Sequence, residues 1–263
     1  ILIDSSQFKK NNLISEKFIE INELIDLKNH NIKASYANKK LKIEGKGQVK
    51  LQNKFEFIDY ELVQSGSDLN LVSNIELSEL DIKNQNLIKE YLPKTKNILN
   101  LKDHKIKLQY KDSNLSVEGL GKISLDKEFN KINYTFSKKD KKYNFETDLE
   151  INDTPIKIGF INYEKDKNLN SQLKINGNYN KKFGLDLKKI SIFSKNNRIS
   201  IDDLIIDGKN KIVKVDKIDL DYFDISDKKN KFVINRIKNN EYELNGSILN
   251  ADSLITNLLK SNN

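Results

Sequence analysis

Two histidines are the residues of this chain with the clearest capacity for chemistry near neutral pH. His30 lies in the stretch LKNHNIKASY and His104 in the stretch LKDHKIKLQY, 74 residues apart and at matching positions. Two imidazoles from different parts of a chain can bind a metal ion or act as a general acid and base. However, the chain contains no cysteine, and no nucleophile-elbow motif accompanies either histidine. We therefore predict that the protein is not an enzyme and has no catalytic residue, metal site or cofactor.

The histidines recur because the segment around them recurs. Residues 12–85 align with residues 86–159 without a gap, and 22 of the 74 aligned positions are identical. The matches cluster in segments such as LKIEGKGQVKL, which aligns with LSVEGLGKISL. A stretched third copy retains only short similar segments, LKING and YELNGSI. The sequence thus predicts three copies in one continuous segment, 1–85, 86–159 and 160–263, and we interpret the histidines as duplicated polar residues at the rim of the structure.

Most of the chain alternates apolar and polar residues, which is typical of β-strands that bury one face. In the first copy, Leu41, Ile43 and Val49 share one parity, while charged and amide side chains occupy the other. The same alternation returns in many runs that are separated by turn residues. We predict a mainly β fold, built as a repetitive antiparallel sheet.

Two pairs of glycines, Gly45 with Gly47 and Gly119 with Gly121, fall on the apolar parity of the predicted strands. Glycine at such a position removes a side chain from the inner face or allows a β-bulge that bends the sheet. A dinucleotide-binding turn would need a helix after the glycines, and no helical pattern follows either pair. We interpret the four glycines as structural.

Three short segments change from alternating to helical spacing of their apolar residues. They cover residues 13–25, 87–99 and 254–259, each at the start or end of a copy. Their polar faces mix glutamate with lysine, whereas helices that lie on a membrane surface have basic polar faces. We predict a few short helices that cap the open sheet.

The net charge of +8 does not indicate a surface for nucleic acid. Only Arg198 and Arg236 among the basic residues are arginine, and the lysines alternate with aspartate and glutamate along the whole chain. Nucleic-acid sites instead gather arginine and aromatic residues on one face. We predict a solvated outer face and no nucleic-acid partner.

The sequence starts at Ile1, contains no methionine and has no apolar run near the ~20 residues that span a bilayer. We expect it to be part of a longer parent chain. The absence of cysteine leaves the cellular compartment open.

Several segments resemble a family of long β-repeat proteins. They are LSVEGLGKISL, INYTF (Ile132–Phe136), the run Asn197–Tyr222 and the run Tyr242–Ser261. These segments are similar to the bridge-like AsmA family, in particular to its YhdP-like and TamB-type members. The last run resembles a family element in which a strand leads into a short helix, although Asn250 stands where the family commonly has aspartate.

The resemblance implies a function in lipid transport and outer-membrane biogenesis. Members of this family span the periplasm of Gram-negative bacteria from an anchor in the inner membrane. They carry phospholipid between the inner and outer membranes along a sheet that is curled into an elongated, taco-like groove. The partners implied are phospholipid acyl chains, with both membranes reached through parts of the parent chain outside this sequence.

A one-sided apolar sheet must also bury its apolar face on physical grounds, and three short helices would cover little of it. An acyl chain could fill the remaining groove, since each buried CH₂ contributes about 0.8 kcal/mol without any specific residue. From strand parity, the residues predicted to line the groove are Leu41, Ile43, Val49, Leu115, Val117, Ile123, Phe145, Leu149, Leu173, Ile175, Leu185, Leu187, Leu220 and Leu244.

Two other functions fit the same pattern. The chain could be a structural or adhesive β-solenoid whose inner face packs on itself. It could also be an assembly factor for outer-membrane proteins that offers an edge strand to its clients.

Overall fold

The structure, a computed structural model, describes residues 2–9, 24–84, 92–165, 169–209, 211–238 and 241–250. In chain order the strands are β1 (Leu2–Lys9), β2 (Leu24–Ala37), β3 (Lys40–Leu51), β4 (Lys54–Ser65), β5 (Asp68–Lys83), β6 (Ile98–Lys111), β7 (Asn114–Ser124), β8 (Phe129–Lys139), β9 (Lys142–Ile151), β10 (Ile156–Ile158), β11 (Tyr163–Lys165), β12 (Ser171–Asn180), β13 (Gly184–Ser194), β14 (Asn197–Ile206), β15 (Ile212–Lys214), β16 (Lys217–Phe223), β17 (Lys229–Lys238) and β18 (Glu241–Ile248). A 3-10 helix at Gly159–Ile161 is the only helix in these ranges.

Sixteen of the strands belong to one sheet, which confirms the prediction of a mainly β, repetitive antiparallel fold. Its order is β1 to β9, then β12, β13, β14, β16, β17 and β18, with β15 paired to β14. Strands β10 and β11 form a separate antiparallel pair. Apart from this pair, almost every strand neighbours the strand that precedes it in the chain.

The described residues divide into two compact units. Unit 1 holds those within 1–85, 96–125 and 131–143, and unit 2 holds those within 86–95, 126–130 and 144–263. These bounds do not follow the three copies, whose division stays a prediction.

Tight turns join the strands of the first two copies. Asn38 and Lys39 between β2 and β3 both have positive φ, and so do Asp112 and Ser113 between β6 and β7. Two consecutive positive φ values are those of a type I′ turn, whose twist matches that of the flanking strands. The repeat therefore conserves the hairpin geometry although the turn residues differ.

A β-bulge also recurs at the same interval of the repeat. Asn29 in β2 and Asp103 in β6 both have positive φ, and the pairing register shifts beside each of them. Asparagine and aspartate tolerate this conformation better than other non-glycine residues. The register also shifts between β12 and β13, where Asn176 pairs with Lys189 and Gly177 with Leu187, but there the extra residue, Lys188, lies in the second strand of the pair.

The segments predicted as helices lie mostly outside the described residues. This applies to residues 13–23, to residues 87–91 and to all of 254–259.

Where these segments are described, the helix prediction is wrong. Leu24 and Ile25 belong to β2, and Ile98 and Leu99 belong to β6. Leu99 pairs with Ile82 across the sheet and is buried. Two adjacent apolar residues fit a helix as well as a strand, and pairing with the neighbouring strand decides in favour of the strand.

A buried polar side chain holds the ends of neighbouring strands together in the first two copies. The carboxylate of Glu56 in β4 accepts hydrogen bonds from the backbone N–H of Ser78, at 2.6 Å, and from its hydroxyl, at 2.7 Å. At the aligned positions of the second copy, Asn130 Oδ1 accepts from the backbone N–H of Asn152 at 3.0 Å. A buried polar side chain without a hydrogen bond is costly, so each of these acceptors needs such a donor.

The same contact appears a third time near the end of the described chain. Asn230 Oδ1 in β17 accepts from the backbone N–H of Asn250 at 2.8 Å, and Asn230 is buried. Asn230 follows Asn130 by 100 residues and not by 74. The spacing to this contact therefore differs from the 74-residue period of the first two.

The small β10–β11 hairpin packs onto β16 within unit 2. The hydroxyl of Tyr222 donates to the carbonyl of Ile161 at 2.7 Å, and the ring of Tyr163 meets that of Tyr222 edge-on at 5.8 Å. Both rings are buried, and burial raises the pKa of Tyr222 to about 12. This hairpin, with the 3-10 helix between its two strands, covers part of the sheet in the described portion of unit 2.

Candidate functional site

The apolar face of unit 1 is a set of side-chain rows that cross six strands. Residues that pair directly in antiparallel strands point to the same face. One row, from β2 to β7, consists of Ala34, Ile43, Leu62, Leu71, Tyr110 and Leu115. The next row consists of Ile32, Gly45, Tyr60, Ser73, Leu108 and Val117. All strands of unit 1 that the structure describes belong to one sheet.

Side chains on the apolar face of unit 1 are buried at one end of the strands and only half-buried at the other. Leu77 and Leu101, beyond the bulge, are buried. Ile43, Leu115 and Val117, toward the turns, are only half-buried. The open end therefore presents aliphatic side chains that the described chain does not fully cover.

In unit 2, the apolar face has the same construction. One row, from β12 to β18, consists of Leu173, Ile192, Ile199, Leu220, Phe232 and Gly246. The adjacent row consists of Ile175, Ile190, Ile201, Ile218, Ile234 and Leu244. Five isoleucines in register across five strands make a continuous aliphatic strip.

The fourteen residues predicted to line a groove differ in how deeply they are buried. Five are buried, namely Val49, Ile123, Leu149, Leu187 and Leu220. Eight are half-buried, namely Leu41, Ile43, Leu115, Val117, Phe145, Leu173, Ile175 and Leu185. Leu244 in β18 is 47% exposed. The register brings Ile43 and Leu115 into one row and Ile175 and Leu244 into another.

Sequence reasoning missed several members of the rows in β13 and β14. Leu187 pairs with Leu204, yet the next inward pair is Ile190 with Ile201, so the parity of both strands changes. Asp203, at the change, has a φ of 49°. The signal in the sequence was two consecutive charged residues, which interrupt the alternation without ending the strand.

The two histidines are buried on the apolar face, and the prediction that they lie at a polar rim is wrong. His30 and His104 are each 1% exposed. A Cβ added to Gly47 would come within 2.4 Å of His30 Nδ1, and one added to Gly121 within 2.3 Å of His104 Cδ2. The glycines thus leave room for imidazole rings, which confirms that the glycines are structural.

A tyrosine accompanies each histidine in the same way. Tyr60 lies over Gly45, and Tyr134 lies over Gly119. The ring centroids of each histidine and its tyrosine are about 6 Å apart, at 6.0 Å in the first copy and 5.9 Å in the second. Burial raises the pKa of both tyrosines. The apolar face therefore contains two matching clusters of histidine, tyrosine and two glycines.

Hydrogen bonds define the protonation of the second histidine. His104 Nε2 lies 2.9 Å from the carbonyl oxygen of Lys122, which can only accept, so Nε2 carries the proton. His104 Nδ1 is then the acceptor for the hydroxyl of Tyr134, 3.4 Å away. Burial lowers the pKa of His104, although the bond to the Lys122 carbonyl opposes the shift. The ring is held neutral in a structural role.

Stability should therefore fall in acid because of His104. The unfolded imidazole takes up a proton near its ordinary pKa of 6.5, which the folded imidazole resists. The free energy of unfolding should be unaffected by this group above that pH and decrease below it, with a slope of at most about 1.4 kcal/mol per pH unit. Urea unfolding at several pH values should show a smaller acid loss for His104→Gln than for the unaltered protein. Identical pH dependence in the two proteins would contradict the assignment.

The opposite face of the sheet carries the charges. Lys42 Nζ lies 2.6 Å from Glu44 Oε1 and 2.9 Å from Glu61 Oε2, and all three side chains are exposed. Lys188 bridges Asp186 and Asp203 in unit 2 at 3.1 Å from each. Exposed pairs of this kind contribute little to stability. They make this face well solvated.

Neither a metal centre nor a spanning helix is found in the part of the chain that the structure describes. No group of three or more histidine, cysteine, aspartate or glutamate side chains there could hold a metal ion. None of its helices is long and apolar enough to cross a membrane.

Comparison of the chain with protein-family models, with curated proteins and with solved structures found no match.

Proposed function

We propose that this chain is a periplasmic segment of an AsmA-like protein that carries phospholipid between the inner and outer membranes of a Gram-negative bacterium. The acyl chains would lie on the apolar faces of the sheet. The observation that carries the proposal is the aliphatic strip from Ile175 to Leu244, which crosses six strands without a polar side chain.

The geometry of a row suits an extended hydrocarbon chain. Neighbouring strands lie about 4.8 Å apart, so six strands make a row about 24 Å long. A tail that lies along a row would cross the strands and contact a new aliphatic side chain at each one. Each CH₂ withdrawn from water contributes about 0.8 kcal/mol, so the tail is held by area alone. A lipid could then move along the face without breaking directional bonds.

The partial burial of side chains on the apolar face supports the same function. Half-buried residues such as Ile43 and Val117 leave aliphatic surface to be covered. The charged face of the same strands faces solvent and keeps the sheet soluble in an aqueous compartment. Head groups would extend beyond the open end of the rows into water.

Photo-crosslinking at two adjacent positions of β7 tests the proposal. Val117 pairs with Leu108 on the apolar face, whereas Glu118 pairs with Lys107 on the charged face. With a photoreactive residue at either position in cells that produce the protein, we expect phospholipid adducts at Val117 and none at Glu118. Adducts at neither position in a folded protein would contradict lipid carriage, and equal adducts at both would contradict a conduit confined to one face.

A structural β-repeat is the second candidate, and one observation in unit 2 favours it. Leu220 and Phe232 are each only 2% exposed, and the β10–β11 hairpin packs beside them at Tyr222. Here the apolar face is filled by the chain itself. The absence of lipid adducts would extend that interpretation to the whole sheet.

A further inference from the structure

A polar cavity of about 630 Å³ lies in unit 2, away from the aliphatic rows. It is formed where β9 and β13 end and where β12 and β14 begin, with β16 alongside. Its lining consists mostly of amide, hydroxyl and charged side chains around one aromatic ring, Phe193. Neither the repeat nor the proposed lipid conduit accounts for this arrangement.

Phe193 is placed on the charged face of the sheet. The residues on either side of it, Ile192 and Ser194, belong to the opposite face, and Phe193 itself is 40% exposed. Its direct partners across the sheet are Gln172 on β12 and Arg198 on β14. The ring is therefore an open apolar platform with a hydrogen-bonding side chain on each side.

The row continues to Asp221 on β16, the partner of Arg198. Both flanking side chains are held in place by carboxylates. Gln172 Nε2 donates to Asp148 Oδ1 at 2.8 Å, and Arg198 donates to Asp219 Oδ1 at 3.1 Å. The platform and its polar neighbours are thus fixed before any ligand arrives, which lowers the cost of binding.

The charges of the lining select against an ionic ligand. Lys195 and Arg198 are balanced by Glu150 and Asp221. The ligand should therefore be neutral, carry several groups that both donate and accept hydrogen bonds, and have one apolar face for the ring. A pyranose has this combination, with axial C–H groups on one face and hydroxyls around its edge.

We infer that this cavity binds a neutral saccharide that stacks on Phe193. Gln172, Arg198 and the amide side chains of the strand ends bind its hydroxyl groups. This site goes beyond the proposed lipid carriage and does not depend on it. The saccharide could be free or the head group of a glycolipid, since the two share this chemistry.

Titration of the 263-residue chain with maltose, cellobiose and diacetylchitobiose, followed by amide NMR, tests the inference. At least one of these neutral disaccharides should shift the resonances of residues 193–198 saturably, with a Kd near ~1 mM. Phe193→Ala should weaken binding about tenfold, because the stacking surface is lost. Phe183→Ala is the matched control, since this aromatic is 68% exposed at another turn of unit 2 and should bind as the unaltered protein does.

Two results would overturn the inference. One is no saturable shift by any of the three sugars up to about 50 mM, well above the Kd expected of such a site. The other is equal binding by Phe193→Ala and the unaltered protein. Sedimentation with phosphatidylcholine vesicles that contain a galactosyl diacylglycerol, against vesicles without it, distinguishes the two sources of the sugar. Selective pelleting that Phe193→Ala abolishes supports a glycolipid, and disaccharide binding without pelleting supports a free saccharide.

Discussion

Replacing Gly47 or Gly121 with alanine should destabilise the protein by about 2–3 kcal/mol, the upper range for overpacking a filled site. The added methyl at Gly47 would lie 2.4 Å from His30 Nδ1 and 2.7 Å from His30 Cα. At Gly121 the nearest atoms are those of the His104 ring, the closest at 2.3 Å. The rings cannot move away without leaving buried positions on the apolar face. The neighbouring β-ladders prevent the backbones from separating.

Urea denaturation of each variant against Gly208→Ala measures this effect. An added Cβ at Gly208 meets no atom within 4 Å, so that substitution should change the free energy of unfolding by less than about 0.5 kcal/mol. Gly121→Ala combined with His104→Ala should cost less than the two single changes added together, because the smaller side chain removes the clash. Additive costs would show that the glycine serves the backbone and not the ring.

The largest functional loss should follow from placing charges on the open end of the apolar face. Ile43→Asp combined with Leu115→Asp puts two carboxylates into one aliphatic row of unit 1. A hydrocarbon chain on that row would desolvate both charges, at a cost of several kcal/mol. Phospholipid capture by a photoreactive residue at Val117 should drop by more than tenfold, as a loss of over 1.4 kcal/mol implies.

The matched control adds the same charge to the other face of the same strands. Ser35 pairs with Lys42, and Ser116 pairs with Gln109, so both point to the solvated face. Ser35→Asp combined with Ser116→Asp should leave capture at Val117 unchanged. Circular dichroism should show that both double variants keep their sheet, because all four positions are half-buried or exposed. Equal loss in the two double variants would contradict a conduit on the apolar face.

Alternation alone was enough to predict the antiparallel sheet and which face of β3 and β7 is apolar. It succeeds there because β3 and β7 keep one parity along their whole length, since the extra residues of the bulges lie in β2 and β6. It fails in β13 and β14, where the parity changes near Asp203, since a bulge depends on the backbone conformation of one residue. The inward position of Ile190 and Ile201 therefore became visible only through their pairing.

The sequence predicted the histidine clusters only in part. The sequence showed that His30 and His104 recur with two glycines each, but not that the glycines lie under the imidazole and phenol rings. That contact joins residues of different strands, and a pattern within one strand contains no information on it. The same holds for Asn130 and Asn152, which are joined by a hydrogen bond across a hairpin. The cavity at Phe193 depends on four strand ends at once, and none of them is distinctive alone.

The meandering strand order has a consequence for how the chain acquires its structure. Nearly every strand of the large sheet finds its partner in the strand synthesised just before it, so the pairings are local in sequence. Local contacts form quickly, since little entropy is lost in closing short loops. A chain that emerges N-terminus first can therefore form one hairpin at a time. The last strand of each finished hairpin offers its free edge to the next strand. The sheet can therefore lengthen by duplication of a segment while the earlier pairings stay the same.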